Sequence, residues 1–187
     1  MIFYDKHAIV ESDNIGHNSR VWAFTHVMKN VIIGKDCNVG EHCFIENGVQ
    51  IGDRVTIKNG ISIWDGAIIG NDVFLGPHMV FTNDLMPRSK NQNYKKEITK
   101  VEDGASIGAN VTLLCGITIG KYSMIGAGSV VTKSVDDFSL VYGNPAKHVG
   151  FMCKCGEKLI FDNKNSRCKC GTLYSLSVNN KCEIIKN

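Results

Sequence analysis

Between Ile9 and Phe81 a large apolar residue returns at every sixth position: Ile9, Ile15, Val21, Val27, Ile33, Val39, Ile45, Ile51, Ile57, Ile63, Ile69, Leu75 and Phe81. A helix would repeat near 3.6 and an ordinary strand at 2, so a strict six is neither, and internal repetition has to be read before anything else. The position four residues further on carries mainly small or β-branched residues: Ser19, Thr25, Val31, Cys37, Cys43, Val49 and Val55. Each hexad therefore predicts a short strand with two inward positions. Glycine follows the aliphatic residue at Gly16, Gly34, Gly40, Gly52, Gly70 and Gly76, which predicts tight corners occupied by a residue tolerant of positive φ.

The repeat resumes at Val101, Ile107, Leu113, Ile119, Ile125 and Val131, again with Gly108, Gly120 and Gly126. The spacing from Phe81 to Val101 is not a multiple of six, so residues 82–100 leave the regular structure as a loop. Loops of this length are uncommon in compact domains and are often functional.

The hexads "IGDRVT", "IGNDVF", "IGANVT" and "IGKYSM" resemble those of the hexapeptide-repeat acyltransferases, over residues 9–150. That resemblance implies an all-β chain: a left-handed parallel β-helix with three hexads per triangular coil, assembled as a homotrimer. The expected division is a β-helix over 1–136 with the loop at 82–100, a connecting segment over 137–150 and a cysteine-rich, zinc-ribbon-like tail over 151–187. With three hexads per coil, residues 18 apart stack at roughly 4.8 Å.

Stacking turns spacing into columns. Asn83 falls over Asp65 and Asn47, beside the point where the loop leaves. A simple ladder of polar corner residues is the bland account of that column; an active site at the loop's root is the other. Asp84 falls over Gly66, where its carboxylate would receive a hydrogen bond from an amine. His78 falls over Gly60 and, two coils down, His42. Trimeric β-helical carbonic anhydrases bind zinc through histidines, but these two would stand roughly 9.6 Å apart against zinc–nitrogen bonds of about 2.0–2.1 Å. One chain cannot chelate with that pair. In acyl transfer, by contrast, an attacking amine must shed a proton, and His78 is the imidazole nearest the loop with the intrinsic pKa for the task. A lone histidine is as often a structural group.

Three longer segments narrow the resemblance. "RVWAFTHV", "VFLGPHMVFTNDLMPRS" and "LVYGNPAKHVGF" are similar to the N-acetyltransferases that act on nucleotide-linked 3-amino sugars. In that group the Asn of "FTN" and the acidic residue one coil below line the amine site, which carries over to Asn83 and Asp65. Asp84 is similar to the enzymes using dTDP-linked 3-amino-3,6-dideoxyhexoses; relatives acting on UDP-linked 3-amino uronic acids more often lack it. Of the loop's cations, Arg88 is the one suited to a sugar-nucleotide pyrophosphate by its rigid donor fork. The resemblance also implies acetyl-CoA as donor, in a groove along the later coils lined by Ala109, Gly126, Ala127 and Gly128 and closed by Asn144, Pro145 and Lys147. The product would enter surface-glycan (lipopolysaccharide) biosynthesis. A non-catalytic β-helix scaffold and a carbonic-anhydrase-like metalloenzyme are the rival readings from other classes.

Composition adds limits. The chain has 187 residues, 43% of them hydrophobic, and a formal charge of +3 with both signs mixed along it. That is enough for one core and a small appendage, without the concentrated basic face of a nucleic-acid binder. No stretch approaches the roughly 20 apolar residues of a membrane span and none reads as a signal peptide, so a cytoplasmic protein without membrane or nucleic-acid partners is expected. Eight cysteines in a reducing compartment point to burial or metal rather than disulfides. Cys37, Cys43 and Cys115 are isolated, but "CKCG" occurs twice. Residues i and i+2 of an extended segment share a side, so Cys153, Cys155, Cys168 and Cys170 form a candidate structural zinc site with Cys182 spare, and a degenerate ribbon held by its hairpins is the alternative.

Overall fold

A computed structural model describes residues 1–91 and 93–185. Gln92 of the expected loop and residues 186–187 of the expected tail lie outside the described residues. Two-residue strands stack in parallel into the walls of a β-helix. In one wall Phe3–Tyr4, Arg20–Val21, Asn38–Val39, Thr56–Ile57, Phe74–Leu75, Ser106–Ile107 and Met124–Ile125 follow one another. Arg20 pairs with Asn38 and Val21 with Val39, the spacing of 18 that three hexads per coil require. The solenoid is consistent with the left-handed β-helix that the resemblance implies, and the described residues contain no helix.

The strands are short because only three positions lie between corners, and their pleat alternates in, out, in. Val31 and Ile33 are buried while Ile32 between them is exposed. The stacked Ile45, Ile57, Ile63, Leu75, Ile107, Leu113 and Ile119 are fully enclosed, each stabilising the coil by about 1.5–3 kcal/mol relative to exposure. Inward hydroxyls are satisfied at the corners: Ser19 donates to the Gly34 carbonyl at 2.8 Å and accepts the Cys37 amide at 3.0 Å. Thr25 does the same with Gly40 and Cys43. These bonds remove the cost that an unpaired buried hydroxyl would carry.

Two sequence expectations are corrected. Ile9 is exposed, because the first coil is one residue out of step: Ile9 lies opposite His26 and Val10 opposite Val27. The glycines after the aliphatic residues are also not the positive-φ residues. That conformation falls two positions later, at Asn18, Asp36, Arg54 and Asp72 along one edge and at Phe24, His42, Gly60, His78, Asn110 and Gly128 along a second. A third edge carries Gly48, Gly66 and Gly116. The glycines after the aliphatics are needed for room instead. A Cβ on Gly108 would lie 2.6 Å from the Ala127 nitrogen, and one on Gly76 would lie 2.7 Å from that of Ala109.

The parallel stack also continues beyond the expected boundary at 136. Val135 bridges to Ile119, and Leu140 and Val141 pair with Met124 and Ile125. The chain then reverses at the cis Asn144–Pro145 bond, and Ala146–Met152 runs back antiparallel to Ser139–Gly143. Residues 137–150 are thus the last coil and the start of its cap. Lys158–Leu159 adds to this hairpin, while Asn165–Arg167, Leu173–Leu176 and Cys182–Ile184 form a separate antiparallel sheet. A second core of Cys153, Leu159, Cys168, Tyr174 and Cys182 meets the helix through Phe138, whose ring stacks on Tyr122 at 5.5 Å.

Candidate active site

The loop leaves after Val80–Phe81 and returns as Thr99–Val101, which pairs with Ala67–Ile69. Across it, stacked residues are 32 apart, so the loop adds fourteen residues to one coil. At its root the backbone ladder is interrupted: Ser62–Ile63 and Val80–Phe81 lie in different sheets, and the Trp64 indole N–H donates to the Phe81 carbonyl at 2.8 Å.

Asp65 follows Trp64 at the third edge. Its carboxylate projects over Gly48, where a Cβ would come within 2.6 Å of Oδ1. Its amide donates to the Glu46 carboxylate at 2.8 Å, and Lys96 from the returning limb places Nζ 3.1 Å from Oδ2. Asn47, one coil below, is turned in the same sense, its Oδ1 accepting the Asn30 amide of the preceding coil at 3.2 Å. Asn83, Asp84 and Arg88 line one concavity of about 490 Å³ with Pro87, Ser89 and Tyr94. Asp84 Oδ1 accepts the Met86 amide at 2.8 Å, closing a turn, and Arg88 donates to the Pro87 carbonyl. Burial first, and then the charges of Asp65, Glu46, Asp84 and Cys115, push the Tyr94 phenol above its usual pKa.

The position of Asp84 differs from the column count. The space over Gly66 is filled by the Glu97 carbonyl and the Lys96 side chain, because the returning limb supplies the next layer there. His78 is also apart from this group. It is exposed on the second edge, in the left-handed conformation at φ 58°, with its ring over Gly60. The strand Val80–Phe81 separates that edge from the loop root. His42 stacks on Phe24 at 5.0 Å, and among the described residues the one cluster of three or more potential metal ligands is Cys153, Cys155, Cys168 and Cys170.

The residues expected to line the donor groove fall into two groups. Ala109, Ala127 and Gly128 form a low corner: Gly128 donates to the Ala109 carbonyl at 2.8 Å, and a Cβ there would meet nothing within 4 Å. Gly126 lies under the Tyr142 side chain. The hairpin carrying Asn144 abuts this corner through the Gly143 amide on Ser129 Oγ at 3.1 Å. Pro145 and Lys147 open onto a larger cavity of about 760 Å³ beside residues 131–136, walled on the tail side by Leu176 and Asn180. That cavity lies two layers from Asn83 and three from Asp65, since Val131 stacks on Leu113 and Leu113 on Phe81, and its size alone does not make it the site of chemistry.

Glu46, Trp64, Tyr94 and Lys96 were not singled out by sequence. Glu46 and Trp64 are 18 apart, a signal the column count contained. Nothing in the sequence distinguished Tyr94 or Lys96 from the other loop residues. The assembled group presents the Asp65 carboxylate to Lys96 with Glu46 behind it, and Asp84 in the neighbouring concavity. Such a site can hold a cationic amine and release its proton.

Residues 14–47 and 98–133 match the bacterial transferase hexapeptide (six repeats) family. The chain is 51% identical over 172 residues, covering 92% of it and 90% of the relative, to dTDP-3-amino-3,6-dideoxy-alpha-D-galactopyranose 3-N-acetyltransferase of Aneurinibacillus thermoaerophilus. It is also 37% identical over 75 residues, 37% of this chain and 36% of the relative, to galactoside O-acetyltransferase of Lactococcus lactis. In fold it resembles AntD, an N-acyltransferase from Bacillus cereus solved with dTDP-4-amino-4,6-dideoxyglucose and coenzyme A, at a TM-score of 0.54 and 18% identity over 79% of each chain.

Proposed function

The chain belongs to the hexapeptide-repeat transferases, and we propose that it moves the acetyl group of acetyl-CoA to the 3-amino group of a dTDP-linked 3-amino-3,6-dideoxyhexose. The observation that carries this reading is the 51% identity, over nearly the whole chain, to an enzyme named for that reaction. The site agrees with it in charge. Asp65, backed by Glu46, receives the substrate ammonium where Lys96 now stands. Asn83 and Asp84 orient the sugar, and Arg88 forks onto the pyrophosphate.

The amine nitrogen, once neutral, attacks the thioester carbonyl; the C–N bond forms, the C–S bond breaks and coenzyme A leaves as its thiol. The amine's proton needs an acceptor at or after attack. Within one chain His78 lies one wall away from Asp65. It acts as the base only where a second copy brings its own edge against the loop root, which is the arrangement a homotrimer supplies. Acetyl-CoA runs along the low corner of Ala109, Ala127 and Gly128 toward Asn144 and Pro145, with Lys147 for a phosphate. That both substrates are cytoplasmic metabolites supports a cytoplasmic enzyme, and a glycosyltransferase would consume the acetylated sugar. The cysteine cluster takes no part in transfer, since four thiolates around a metal leave no open position.

The test is acetyl-CoA turnover on a panel of nucleotide sugars, with products read by mass spectrometry. Acetylation of dTDP-3-amino-3,6-dideoxygalactose or its 4-epimer is expected. Failure on both, with transfer to a UDP-linked 3-amino uronic acid, would replace the substrate. Transfer to none would remove the assignment.

A further inference from the structure

The two "CKCG" segments fold into the same turn. The Gly156 amide donates to the Cys153 carbonyl at 2.9 Å and the Cys153 amide to the Glu157 carbonyl at 2.8 Å; Gly171 and Cys168 repeat this at 2.9 Å, with Cys168 to Thr172 at 3.0 Å. Gly156 and Gly171 share the same left-handed backbone, at φ 94° and 92°. Each knuckle turns both of its sulfurs to one side, and the two knuckles face each other. Cys153 Sγ is 3.5 Å from Cys170 Sγ, Cys155 Sγ is 3.5 Å from Cys168 Sγ, and all four sulfurs lie within 4.8 Å of one another.

We propose that Cys153, Cys155, Cys168 and Cys170 hold one Zn²⁺ ion that fastens the tail onto the last coil of the β-helix. A tetrahedral site with zinc–sulfur bonds of about 2.3 Å has sulfurs about 3.8 Å apart, which the two 3.5 Å separations and the 4.8 Å limit on the others accommodate. Two disulfides would use the sulfurs in pairs and would not require both pairs to converge on one point.

Donors around the sulfurs suit thiolates. Thr172 Oγ1 lies 3.3 Å from Cys170 Sγ. Tyr174, fully buried, accepts the Lys154 amide at 3.1 Å, which leaves its own O–H for Cys153 Sγ at 3.1 Å. Such outer hydrogen bonds orient metal ligands and offset their charge. The tetrathiolate site carries net negative charge, and each knuckle places a lysine, Lys154 and Lys169, between its two ligands. Soft, four-coordinate thiolate sites favour zinc or iron. Cys182 is buried in the same small core but is not among the four.

The metal is structural, so its presence is independent of the acetyl-transfer reading. Elemental analysis of the full chain, purified without chelators, is expected to give one zinc per chain. Titration with a mercurial is expected to release it as four thiols react. The Cys182→Ala variant is expected to keep the metal, and Cys155→Ser with Cys170→Ser to lose it. Cobalt reconstitution is expected to give the thiolate charge-transfer and tetrahedral d–d bands. Native protein with no zinc, or with iron in its place, overturns the proposal, as do two disulfides by mass after alkylation. Zinc retained when both cysteines are replaced overturns it equally. Because the native-protein measurements stand alone, misfolding of the variant does not shield the idea.

Discussion

Lys96 Nζ rests 3.1 Å from Oδ2 of Asp65, an ammonium from the returning limb of the loop on the carboxylate at the loop's root. Both side chains are partly exposed, 49% and 38%, so the pair itself adds little to stability. Its meaning in the proposed reaction is chemical: Lys96 fills the position proposed for the substrate ammonium. Asp65→Asn is expected to lower kcat/KM by about 100-fold, equivalent to about 2.7 kcal/mol and within the range of a charged hydrogen bond. Lys96→Met, which clears the position, is expected to lower KM for the amino sugar a few-fold while kcat holds. A raised KM in Lys96→Met would mean that the lysine binds substrate rather than yielding to it.

Among the described residues the Arg88 guanidinium makes one hydrogen bond, to the neighbouring Pro87 carbonyl, which leaves most of its fork for the proposed pyrophosphate contact. Arg88→Lys keeps the charge and loses the planar pair of donors. Steady-state kinetics should show KM for the nucleotide sugar raised about tenfold, with kcat little changed, the signature of binding that is uniform between ground and transition states. An unchanged KM would place the pyrophosphate elsewhere.

The wall pattern was legible because burial of alternate residues forces one side-chain type at each inward position, as at Val31 and Ile33. The neighbourhood of Asp65 was legible only in part. Counting by 18 holds where each coil has the same length and fails where one does not. Asp84 was placed over Gly66 on that count, whereas Lys96 and Glu97 occupy the spot. Tyr94 and Lys96 were hidden for the same reason, since a loop's path carries no period. The glycines misled differently: their positions were right, but close approach of the next coil explains them, not the sign of φ.

That distinction separates two substitutions. Gly108→Ala puts a Cβ 2.6 Å from the Ala127 nitrogen and 2.8 Å from its Cα, backbone atoms that move only if the coils part. It should destabilise by about 1–3 kcal/mol, read as a lowered midpoint in urea. Asp36→Gly, at a position with φ 58°, loses the bond from Asn18 Nδ2 at 3.1 Å but relieves a left-handed residue of about 1–2 kcal/mol. These effects oppose each other, so its midpoint should stay close to that of the parent.

Arg54 grips Asp72 one coil above it with two donors, Nε to Oδ1 at 2.6 Å and Nη2 to Oδ2 at 2.8 Å. The hydrogen bonds from Arg54 hold the Asp72 carboxyl below its ordinary pKa. A depressed folded-state pKa contributes stability above the unfolded value and loses it as pH falls through the folded value. The melting-temperature difference between the parent and Asp72→Asn should therefore be small near neutrality and vanish in acid. A difference that grew on acidification would contradict the ion pair.

His78 and Asp65 stand on different edges of the same coil stack, separated by the strand Val80–Phe81. His78 is exposed and its ring covers a glycine, so His78→Ala should leave stability nearly unchanged and report on chemistry alone. If the chain forms the proposed homotrimer and the imidazole of one copy serves the amine held by Asp65 of the next, the two residues of a working site come from different chains. Mixing His78→Ala chains with Asp65→Asn chains and letting trimers reassort then restores intact sites. Each mixed trimer contains one site with both native residues, so an equal mixture should recover about a quarter of the parent's activity, although each variant alone is nearly inactive. If both residues of a site came from one chain, every site in the mixture would carry one lesion and no activity would return. Full activity of His78→Ala on its own, with an unchanged pH profile, would instead remove the histidine from the proton's path.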